Sequence, residues 1–479
     1  MAERVIKGYE PDSMFGFFED ISAIPRGSGN EGGIADYLVK FAAERGLFCV
    51  RDAANNVFIR RPASPGRDGD PAVLLQGHTD MVCVKTPTSS HDFEKDPIEL
   101  IVEGDMLRAK ETTLGADNGV AVAIMLELLS GDYSLPPLEC LFTTDEETGM
   151  SGAFSFDSSL VTARKLINLD SATEGIATAG CAGGIRYKVT LPYERVPAAE
   201  KSITVEISGL AGGHSGGDIH KYRGNAINIM GRMLAALYEK EPFCLVTVSG
   251  GAKDNAIPAD CVAAIAVADP AAATAFLLEQ EKIIKSELPP EDEGFKVRIS
   301  KPKAVVKTLT FADTSRVISM LTLFPRGPQA FSRDMPGLVE TSANLGAVSD
   351  NGEEITAQFL LRSSIESRLD ELSLYFARLA RFIGAKAEGH SRYPGWRYNP
   401  NSELRKKFLE AYGSLEGRKR EPTVECTHAG LECGIFVGKI PGLDAISIGP
   451  DIYELHTPAE RVDLRSWERF FKLVLKMLS

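Results

Sequence analysis

The stretch "CLFTTDEETGMSG", residues 140–152, sets three carboxylates side by side directly after an apolar run. The apolar residues predict a buried strand, and Asp145, Glu146 and Glu147 stand where that strand ends. Neighbouring carboxylates repel one another, so a strand exit gains no structural advantage from three of them. In an open α/β sheet the carboxyl ends of the strands are where ligands gather, and divalent cations would neutralise such a cluster. The stretch therefore predicts an α/β sheet with metal bound at one edge.

The chain around this stretch predicts further parts of the same sheet. They are the strands "VFIRR" at 57–61, "AVLLQGH" at 72–78 and "KLINLD" at 165–170, and the helix "GVAVAIMLELLSG" at 119–131. Strands that are apolar throughout are typical of sheets buried on both faces, and alternating strands and helices are typical of layered α/β folds. We therefore predict a central mixed sheet flanked by helices.

A different pattern fills the middle of the chain. Two successive stretches there each follow the order strand, helix, two strands, helix, strand, which is that of a ferredoxin-like unit. The turn residues Asn351 and Gly352 predict a hairpin in the second stretch. Beyond this region the α/β pattern returns. The predicted architecture is an α/β domain in two pieces, residues 1–185 and 395–479, interrupted by an inserted α+β domain of two ferredoxin-like halves at 186–394.

Composition narrows the class of protein. The 479 residues include 53 Lys and Arg against 66 Asp and Glu, a net charge of −13, which argues against nucleic acid and anionic membranes as partners. The first residues lack the pattern of a secretion signal, and no apolar segment is long enough to span a membrane. The eight cysteines show no paired spacing. These features predict a cytoplasmic, globular protein without disulfides.

Four more strand or helix ends carry potential metal ligands. His78 and Asp80 follow one strand, Asp117 precedes a helix, Asp170 follows another strand, and His456 follows a strand near the C-terminus. Each has a simpler interpretation when taken alone, since such residues often cap helices or bind the backbone. However, several separate strand and helix ends that all carry His, Asp or Glu favour one shared metal site. Mixed imidazole and carboxylate ligands suit zinc, with manganese or cobalt as alternatives.

At this point the motifs resemble those of a known family. "GHTDMV", "LGADNGVAVA", "TTDEETGMSGAF", "INLDS" and "ELHTPAERV" are similar to motifs of the co-catalytic zinc peptidases, which include aminoacylases, tripeptidases and dipeptidases. "GCAGG", "GGHSGGDIH" and "HAGLECG" narrow the resemblance to the bacterial aminoacyl-histidine dipeptidases. The resemblance covers nearly the whole chain, with the motifs in the same order.

The resemblance implies a set of metal ligands. His78 and Asp170 would bind one zinc ion, and Glu147 and His456 would bind the other. Asp117 would bridge the two ions. The implied complement is two zinc ions per chain, with cobalt or manganese as alternatives.

It also implies residues that act beside the metals. Glu146 would be the general base, and Asp80 would be a catalytic-site residue that fixes the ring of His78. The peptide bond between Asp117 and Asn118 would be cis. The resemblance assigns no role to Asp145.

The inserted domain resembles the family's lid. His214 matches a histidine that supports the oxyanion, although a polar residue in a glycine-rich turn is the alternative. Asn255 and Arg362 match substrate-binding residues, with Arg362 gripping a free carboxylate as a fork. Gly430 falls where the family contacts the substrate backbone.

The implied function is hydrolysis of the peptide bond of unblocked dipeptides, with a preference for Xaa-His, carnosine-type substrates. A water molecule activated by two zinc ions would attack, with a glutamate as the base. An aminoacylase or a tripeptidase of the same group is an alternative, as is an inactive metal-binding or scaffolding protein. The expected partners are small dipeptides, and the chain would act as a monomer or a homodimer. A separate zinc knot at Cys426, His428 and Cys433 would lack its second cysteine pair.

Overall fold

The computed structural model describes residues 4–479, and its chain divides into two compact units. Unit 1 contains the chain up to Gly180, with Tyr398–Cys426 and Leu431–Ser479. Unit 2 contains Cys181–Arg397 and Thr427–Gly430. The domain boundaries predicted from the sequence lie after residues 185 and 394.

The helices, in chain order, are α1 Asp12–Ser22, α2 Gly32–Glu44, α3 Ala116–Ser130, α4 Ser151–Ser155, α5 Ala226–Lys240, α6 Pro270–Lys285, α7 Phe311–Leu323, α8 Glu366–Phe382, α9 Glu403–Gly413, α10 Glu432–Lys439 and α11 Leu464–Leu478. The first strands are β1 Phe48–Arg51, β2 Val57–Arg61, β3 Val73–His78, β4 Leu100–Glu103, β5 Met106–Ala109, β6 Leu138–Thr143, β7 Lys165–Asn168, β8 Ile176–Cys181, β9 Gly183–Pro192, β10 Arg195–Pro197, β11 Lys201–Ser208 and β12 Gly213–His214. The others are β13 Cys244–Gly250, β14 Ala256–Ile257, β15 Cys261–Val267, β16 Lys296–Ile299, β17 Lys307–Leu309, β18 Gly327–Phe331, β19 Val339–Asp350, β20 Glu354–Ser363, β21 Lys386–Tyr393, β22 Thr423–Thr427, β23 Asp444–Ser447, β24 Ile452–Tyr453 and β25 Arg461–Asp463.

The main sheet of unit 1 is mixed, as predicted. Its order is β1-β2-β6-β3-β7-β23-β8-β22. The central strands β6, β3, β7 and β23 are parallel to their neighbours in that group, whereas β1 and β2 are antiparallel. Every residue of β3 and β6 is buried, as expected for central strands covered on both faces. The apolar runs in the sequence are therefore the centre of the sheet.

Register places the carboxyl ends of the central strands side by side. His78 at the end of β3 pairs with Thr143 at the end of β6, and Gln76 pairs with Asn168 on β7. The segments that leave these strands consequently begin at one edge of the sheet, where ligands collect in open α/β folds.

Helix α3 packs directly over β3. Its residues from Asn118 to Leu129 are all buried, which is typical of a helix that is apolar on every side. A Cβ at Gly77 would lie 2.5 Å from the Cβ of Ala121, so only glycine permits this close approach. The peptide between Asp117 and Asn118 is cis, as the family resemblance implies.

Unit 2 is built on an antiparallel sheet of nine strands. Its order is β16-β11-β15-β13-β19-β20-β9-β21, with β18 also paired to β19. The first half, β11, α5, β13, β15, α6 and β16, has the predicted element order. In the second half, α7, β19, β20, α8 and β21 follow as predicted, with Asn351 and Gly352 in the turn between β19 and β20.

The two halves are nested rather than successive, which differs from the prediction. The first strand of the second half is β9, and it precedes the whole first half in the chain. It pairs with β20 on one side and β21 on the other. Numbered within each half, the strands follow the order 4-1-3-2 and then 2-3-1-4, so the halves join at β13 and β19. Among residues 4–479, no helix combines the length and apolar character needed to cross a bilayer.

Candidate functional site

The predicted metal ligands gather at one edge of unit 1. His78 ends β3, Asp117 is the second residue of α3, Glu147 follows β6, Asp170 follows β7, and His456 follows β24. Three of these positions are strand exits that the parallel pairing sets side by side. The sequence reasoning that linked strand exits to one site thus agrees with where these side chains lie.

The carboxylate of Asp117 lies between the two histidines. Its Oδ1 is 3.1 Å from His78 Nε2, and its Oδ2 is 3.2 Å from His456 Nε2. His78 Nε2 also lies 3.4 Å from Asp170 Oδ1, and His456 Nε2 lies 3.2 Å from Glu147 Oε1. One carboxylate therefore belongs to two groups of potential ligands.

These residues fit divalent metal ions. Potential ligand atoms lie within 4.8 Å of one another in three groups, namely His78, Asp117 and Asp170; Asp117, Glu147 and His456; and His78, Glu146 and Glu147. The Oε1 atom of Glu147 is buried, and it faces the ring of His456 at 3.2 Å. Several carboxylates gathered at a partly buried site are costly unless a cation balances their charge. Donor sets of imidazole and carboxylate suit zinc, manganese or cobalt.

The electrostatics of the cluster indicate the same need for positive charge. Burial disfavours a charged His78 ring, but the Asp170 and Asp117 carboxylates outweigh it and raise the pKa of His78 well above its usual value. Hydrogen bonds to Asp117 and Glu147 raise the pKa of His456 to about 10. Burial raises the pKa of Asp170 to about 7, with the Asp117 charge adding to it and His78 opposing. The cluster therefore favours positive charge at this point, which bound metal ions would supply in place of ring protons.

Asp80 connects the first histidine with the acidic run. Its Oδ1 lies 3.3 Å from His78 Nδ1 and accepts a hydrogen bond of 3.1 Å from the Glu146 backbone N–H. Its Oδ2 accepts bonds from the Glu147 backbone N–H at 3.2 Å and from Ser28 Oγ at 2.8 Å. Although burial opposes ionisation, these partners lower the pKa of Asp80 to about 2. The buried carboxylate of Asp80 therefore orients both the His78 ring and the loop that carries Glu146 and Glu147. Its contact with the loop was not anticipated from the sequence.

Glu146 feels the charge of Glu432, which belongs to a buried polar network that sequence reasoning missed. Burial raises the pKa of Glu146 well above its usual value, against the opposing charge of His78. In that network the buried Glu432 accepts hydrogen bonds from Gln76 Nε2 at 2.5 Å and Thr143 Oγ1 at 3.0 Å. Burial raises the pKa of Glu432 to about 8. The one sign of this network in the sequence was Gln76, a polar residue within a predominantly apolar strand.

Asp145 has a structural role in the loop. Its carboxylate accepts hydrogen bonds from the hydroxyl groups of Thr148 and Ser151. Its backbone carbonyl accepts a bond of 2.7 Å from the N–H of Met150. Asp145 therefore closes the turn that presents its two neighbours.

Two buried residues fix the segment that carries Asp117, and both were missed from the sequence. The carboxylate of Glu460 accepts the backbone N–H groups of residues 114–117 at 2.8–3.2 Å. Arg26 donates to the carbonyls of Thr79 at 3.0 Å and Gly115 at 2.6 Å. This pair ties the exit of β3 to the start of α3. A carboxylate at a helix N-terminus is favourable, and the position of Glu460 four residues after His456 was the only available hint.

We expect Glu460→Gln to lower the free energy of unfolding by about 3 kcal/mol, because an amide can accept only part of these bonds and leaves buried donors unsatisfied. Urea unfolding of the purified variant measures the change. Glu403→Gln is the matched control, since Glu403 begins α9 with a side chain that is 74% exposed and should change stability by less than about 0.5 kcal/mol. Equal stability of the two variants would contradict the role given to Glu460.

In unit 2, the short pairing of β12 with β14 brings His214 and Asn255 together. His214 pairs with Ala256, and the Ser215 N–H donates to the Asn255 carbonyl at 2.9 Å. The N–H groups of Gly216 and Gly217 donate to His214 Nδ1 at 3.2 and 3.0 Å. This makes Nδ1 an acceptor, so the proton of the neutral ring sits on Nε2. Burial and the charge of Arg362 lower the pKa of His214, which keeps the ring neutral and leaves Nε2–H as a donor.

Arg362 and Gly430 are linked in the same unit by Tyr393. Arg362 is 5% exposed, and its Nη1 donates to Tyr393 Oη at 2.8 Å. The Nε atom of Arg362 is buried without a hydrogen-bond partner among the described residues. A Cβ at Gly430 would lie 2.8 Å from the ring of Tyr393. The Tyr393 ring thus leaves no room for a side chain at position 430, which by itself favours glycine there.

His428 belongs to unit 2 and does not join a metal-ligand group. Its Nε2 lies 2.7 Å from Ser342 Oγ, and burial together with Arg362 lowers the pKa of its ring to about 3. The three potential ligand groups found in the described part of the chain contain neither His428 nor its neighbours Cys426 and Cys433. The ring is accordingly a neutral hydrogen-bonding group next to a guanidinium.

Comparisons of the sequence with known proteins give concordant matches. A model of the family described as "Peptidase family M20/M25/M40" matches residues 74–479. The chain is 36% identical over 473 residues to the cytosol non-specific dipeptidase of Escherichia coli (strain K12), which covers 98% of this chain and 97% of that relative.

Comparison of the structures agrees. The crystal structure of an aminoacylhistidine dipeptidase from Vibrio alginolyticus matches with a TM-score of 0.92 and 35% identity, covering 100% of this chain and 99% of the other. An aminopeptidase from Bacillus cereus has a TM-score of 0.60 at 15% identity, covers 98% of both chains and shares the fold.

Proposed function

This chain belongs to peptidase family M20/M25/M40 and is a peptide-bond hydrolase, and on that premise we propose that it is a metal-dependent dipeptidase acting on unblocked dipeptides. The carrying observation is the carboxylate of Asp117, whose two oxygens face His78 and His456 and so join two ligand groups. The names of the relatives from Escherichia coli and Vibrio alginolyticus support dipeptides as substrates, and the second supports a preference for Xaa-His.

In this proposal two zinc ions are the cofactor, with cobalt or manganese as alternatives. His78 and Asp170 would hold one ion, Glu147 and His456 the other, and Asp117 both. When bound, the ions would polarise the scissile carbonyl and lower the pKa of the attacking water molecule. The mixed donor set, and the carboxylate of Asp117 shared between the two ligand groups, support this assignment.

Glu146 would move the proton during hydrolysis. It would take a proton from the attacking water molecule and deliver it to the nitrogen of the leaving amine. Its position beside Glu147, with both backbone N–H groups held by Asp80, supports a fixed orientation for this carboxylate. Asp80 would act as a positioning residue, holding the ring of His78 and the loop at once.

Residues of the inserted domain at 186–394, together with Gly430, would bind the substrate. The Nε2–H of His214 would donate to the oxyanion, and Arg362 would receive the terminal carboxylate as a two-point fork. Asn255 would help to hold the substrate, and Gly430 would contact its backbone. The neutral tautomer of His214 and the buried, incompletely bonded guanidinium of Arg362 support these roles. A cytoplasmic location is part of the proposal, supported by the name of the Escherichia coli relative.

A dipeptide and its carboxyl-terminal amide test the proposal directly. We expect amidation of alanyl-histidine to lower kcat/KM by about tenfold to a hundredfold, because a hydrogen bond to a charged group contributes roughly 1.5–3 kcal/mol. Amine release from the two substrates measures the difference. Equal turnover would exclude recognition of a free carboxylate and favour an aminopeptidase.

The same assay separates the alternatives. An N-acetyl amino acid that is hydrolysed faster than the dipeptide would point to an aminoacylase. Faster hydrolysis of a tripeptide would point to a tripeptidase. No turnover of any of these after reconstitution with zinc, manganese or cobalt would favour a metal-binding or scaffolding protein.

A further inference from the structure

Four strands of the unit 2 sheet place a row of residues on one face around Arg362. Ser342 on β19 pairs with Arg362 on β20, Arg362 pairs with Gly184 on β9, and Gly184 pairs with Tyr393 on β21. Residues directly opposite one another across paired strands point to the same face. The row Ser342, Arg362, Gly184 and Tyr393 therefore crosses the sheet in register.

The absence of a side chain at Gly184 leaves the space through which the Tyr393 hydroxyl contacts Arg362. A Cβ at position 184 would lie 2.5 Å from Tyr393 Oη and 2.6 Å from its Cζ. Because Gly184 has no Cβ, the side chain of Tyr393 can pass over it. Arg362 Nη1 then donates a hydrogen bond of 2.8 Å to the Tyr393 hydroxyl. The contact spans one strand, which a side chain at 184 would prevent.

The other end of the row is closed by a neutral group. Ser342 Oγ lies 2.7 Å from Nε2 of His428, whose ring is uncharged because burial lowers its pKa to about 3. The His428 ring therefore brings no charge that would compete for the guanidinium. The Nε atom of Arg362 stays buried and unpartnered among residues 4–479, which is costly for a cation unless a ligand completes its bonding.

We propose that Tyr393 is a positioning residue for Arg362, and that its hydroxyl holds the guanidinium in the orientation that receives the carboxylate of a dipeptide. The inference rests on the proposed function, in which Arg362 binds that carboxylate. A free arginine side chain loses considerable rotamer freedom when it binds. Anchoring one guanidinium nitrogen beforehand reduces that loss, which strengthens carboxylate binding without touching the bond that is cleaved.

The test is the preference for a dipeptide over its amide, measured as the ratio of the two kcat/KM values. We expect Tyr393→Phe to lower this ratio by about tenfold, through a higher KM for alanyl-histidine with kcat changed less than about twofold. The kcat/KM for the amide should stay within about twofold of the parent value, because the amide lacks the group that Arg362 recognises. A purely structural defect would lower the kcat of both substrates together and leave the ratio unchanged.

A matched control exists in the same unit. Tyr193 also accepts a hydrogen bond from an arginine, since Arg195 Nη2 donates to its hydroxyl at 2.9 Å, and it also bonds to Asp350. Tyr193→Phe should leave KM and the preference ratio unchanged. An equal fall of the ratio in both variants would overturn the specific role of Tyr393.

Gly184→Ala gives a second, independent perturbation. The new methyl group would displace the tyrosine ring, so this variant should lose the same preference as Tyr393→Phe. The double variant Gly184→Ala/Tyr393→Phe should be no worse than Tyr393→Phe in the ratio, because one contact cannot be lost twice. Additive losses would overturn the inference.

The outcomes also distinguish this inference from its premise. If the parent enzyme prefers the dipeptide and Tyr393→Phe keeps that preference, Tyr393 does not position Arg362. The proposed dipeptidase function is unaffected by that result. If the parent enzyme hydrolyses the amide and the dipeptide with equal kcat/KM, Arg362 does not bind the terminal carboxylate. The inference about Tyr393 is then wrong as well.

Discussion

Glu146→Gln is expected to lower kcat by roughly 10²–10⁴-fold, because the amide keeps the shape of the side chain but cannot accept a proton. The substitution leaves the five proposed metal ligands in place, and the backbone N–H of residue 146 can still bond to Asp80. Metal content should therefore stay at the parent value. Stopped assays of dipeptide hydrolysis, together with elemental analysis of the same sample, measure both quantities.

Asp145→Asn is the matched control for this change. It removes the neighbouring acid of the same run, whose side chain accepts bonds from the hydroxyls of Thr148 and Ser151. We expect turnover within about threefold of the parent, with a small loss of stability of about 1 kcal/mol. Near-normal turnover in Glu146→Gln with its metals bound would refute the proton-transfer role, and equal losses in the two variants would show that loop shape alone matters.

The second large effect is expected on metal content. Glu147→Gln changes a ligand of one proposed ion, so bound metal should fall from two per chain towards one. Asp117→Asn changes the shared carboxylate, so binding of both ions should weaken. Turnover should fall by more than about 100-fold in each, since even residues that only support metal ligands contribute 10–100-fold.

Excess zinc distinguishes these two variants. It should partly restore Glu147→Gln, in which three ligands of the second group become two, and it should restore Asp117→Asn less. Equilibrium dialysis against zinc measures the stoichiometry without reference to activity. Identical zinc binding by Asp117→Asn and the parent chain would contradict the assignment of Asp117 as the bridging ligand.

The sequence was informative wherever the chemistry lies at the ends of buried strands. Apolar runs such as the one ending at His78 indicate central strands, and parallel strands bring their carboxyl ends to one edge by geometry alone. The last helix, α11, also matches a local pattern, because large apolar residues recur at helical spacing through "LRSWERFFKLVLKML", Leu464–Leu478.

Contacts that depend on long-range pairing were not evident. Glu460 bonds to residues 114–117, which lie 343–346 positions earlier, and no local pattern reports such a pairing. The bond between Arg362 and Tyr393 requires the register of three strands and a glycine between them. Asp145 was uninformative because its partners are hydroxyl groups, which the charge pattern of the run does not reveal.

The strand β9 was missed although its pattern was present. Its residues alternate between buried and more exposed positions through "IRYKVTL", which is typical of a strand with one covered face. Because it stands apart from its partners in the chain, the sequence reasoning assigned it to neither ferredoxin-like stretch. Local periodicity predicts that a strand exists, but only pairing determines which half it completes.

The nesting of the two halves in unit 2 has a consequence for biosynthesis. The first half, from Lys201 to Ile299, is continuous and contains all of its own strands, so its sheet can form as soon as that stretch leaves the ribosome. Strand β9 ends at Pro192, but its partner β20 begins only at Glu354. At 5–20 residues per second, the ribosome needs roughly ten seconds or more to make that interval. During this time β9 has open edges and no partner, which makes the nascent chain a natural client for chaperones that shield unpaired strands.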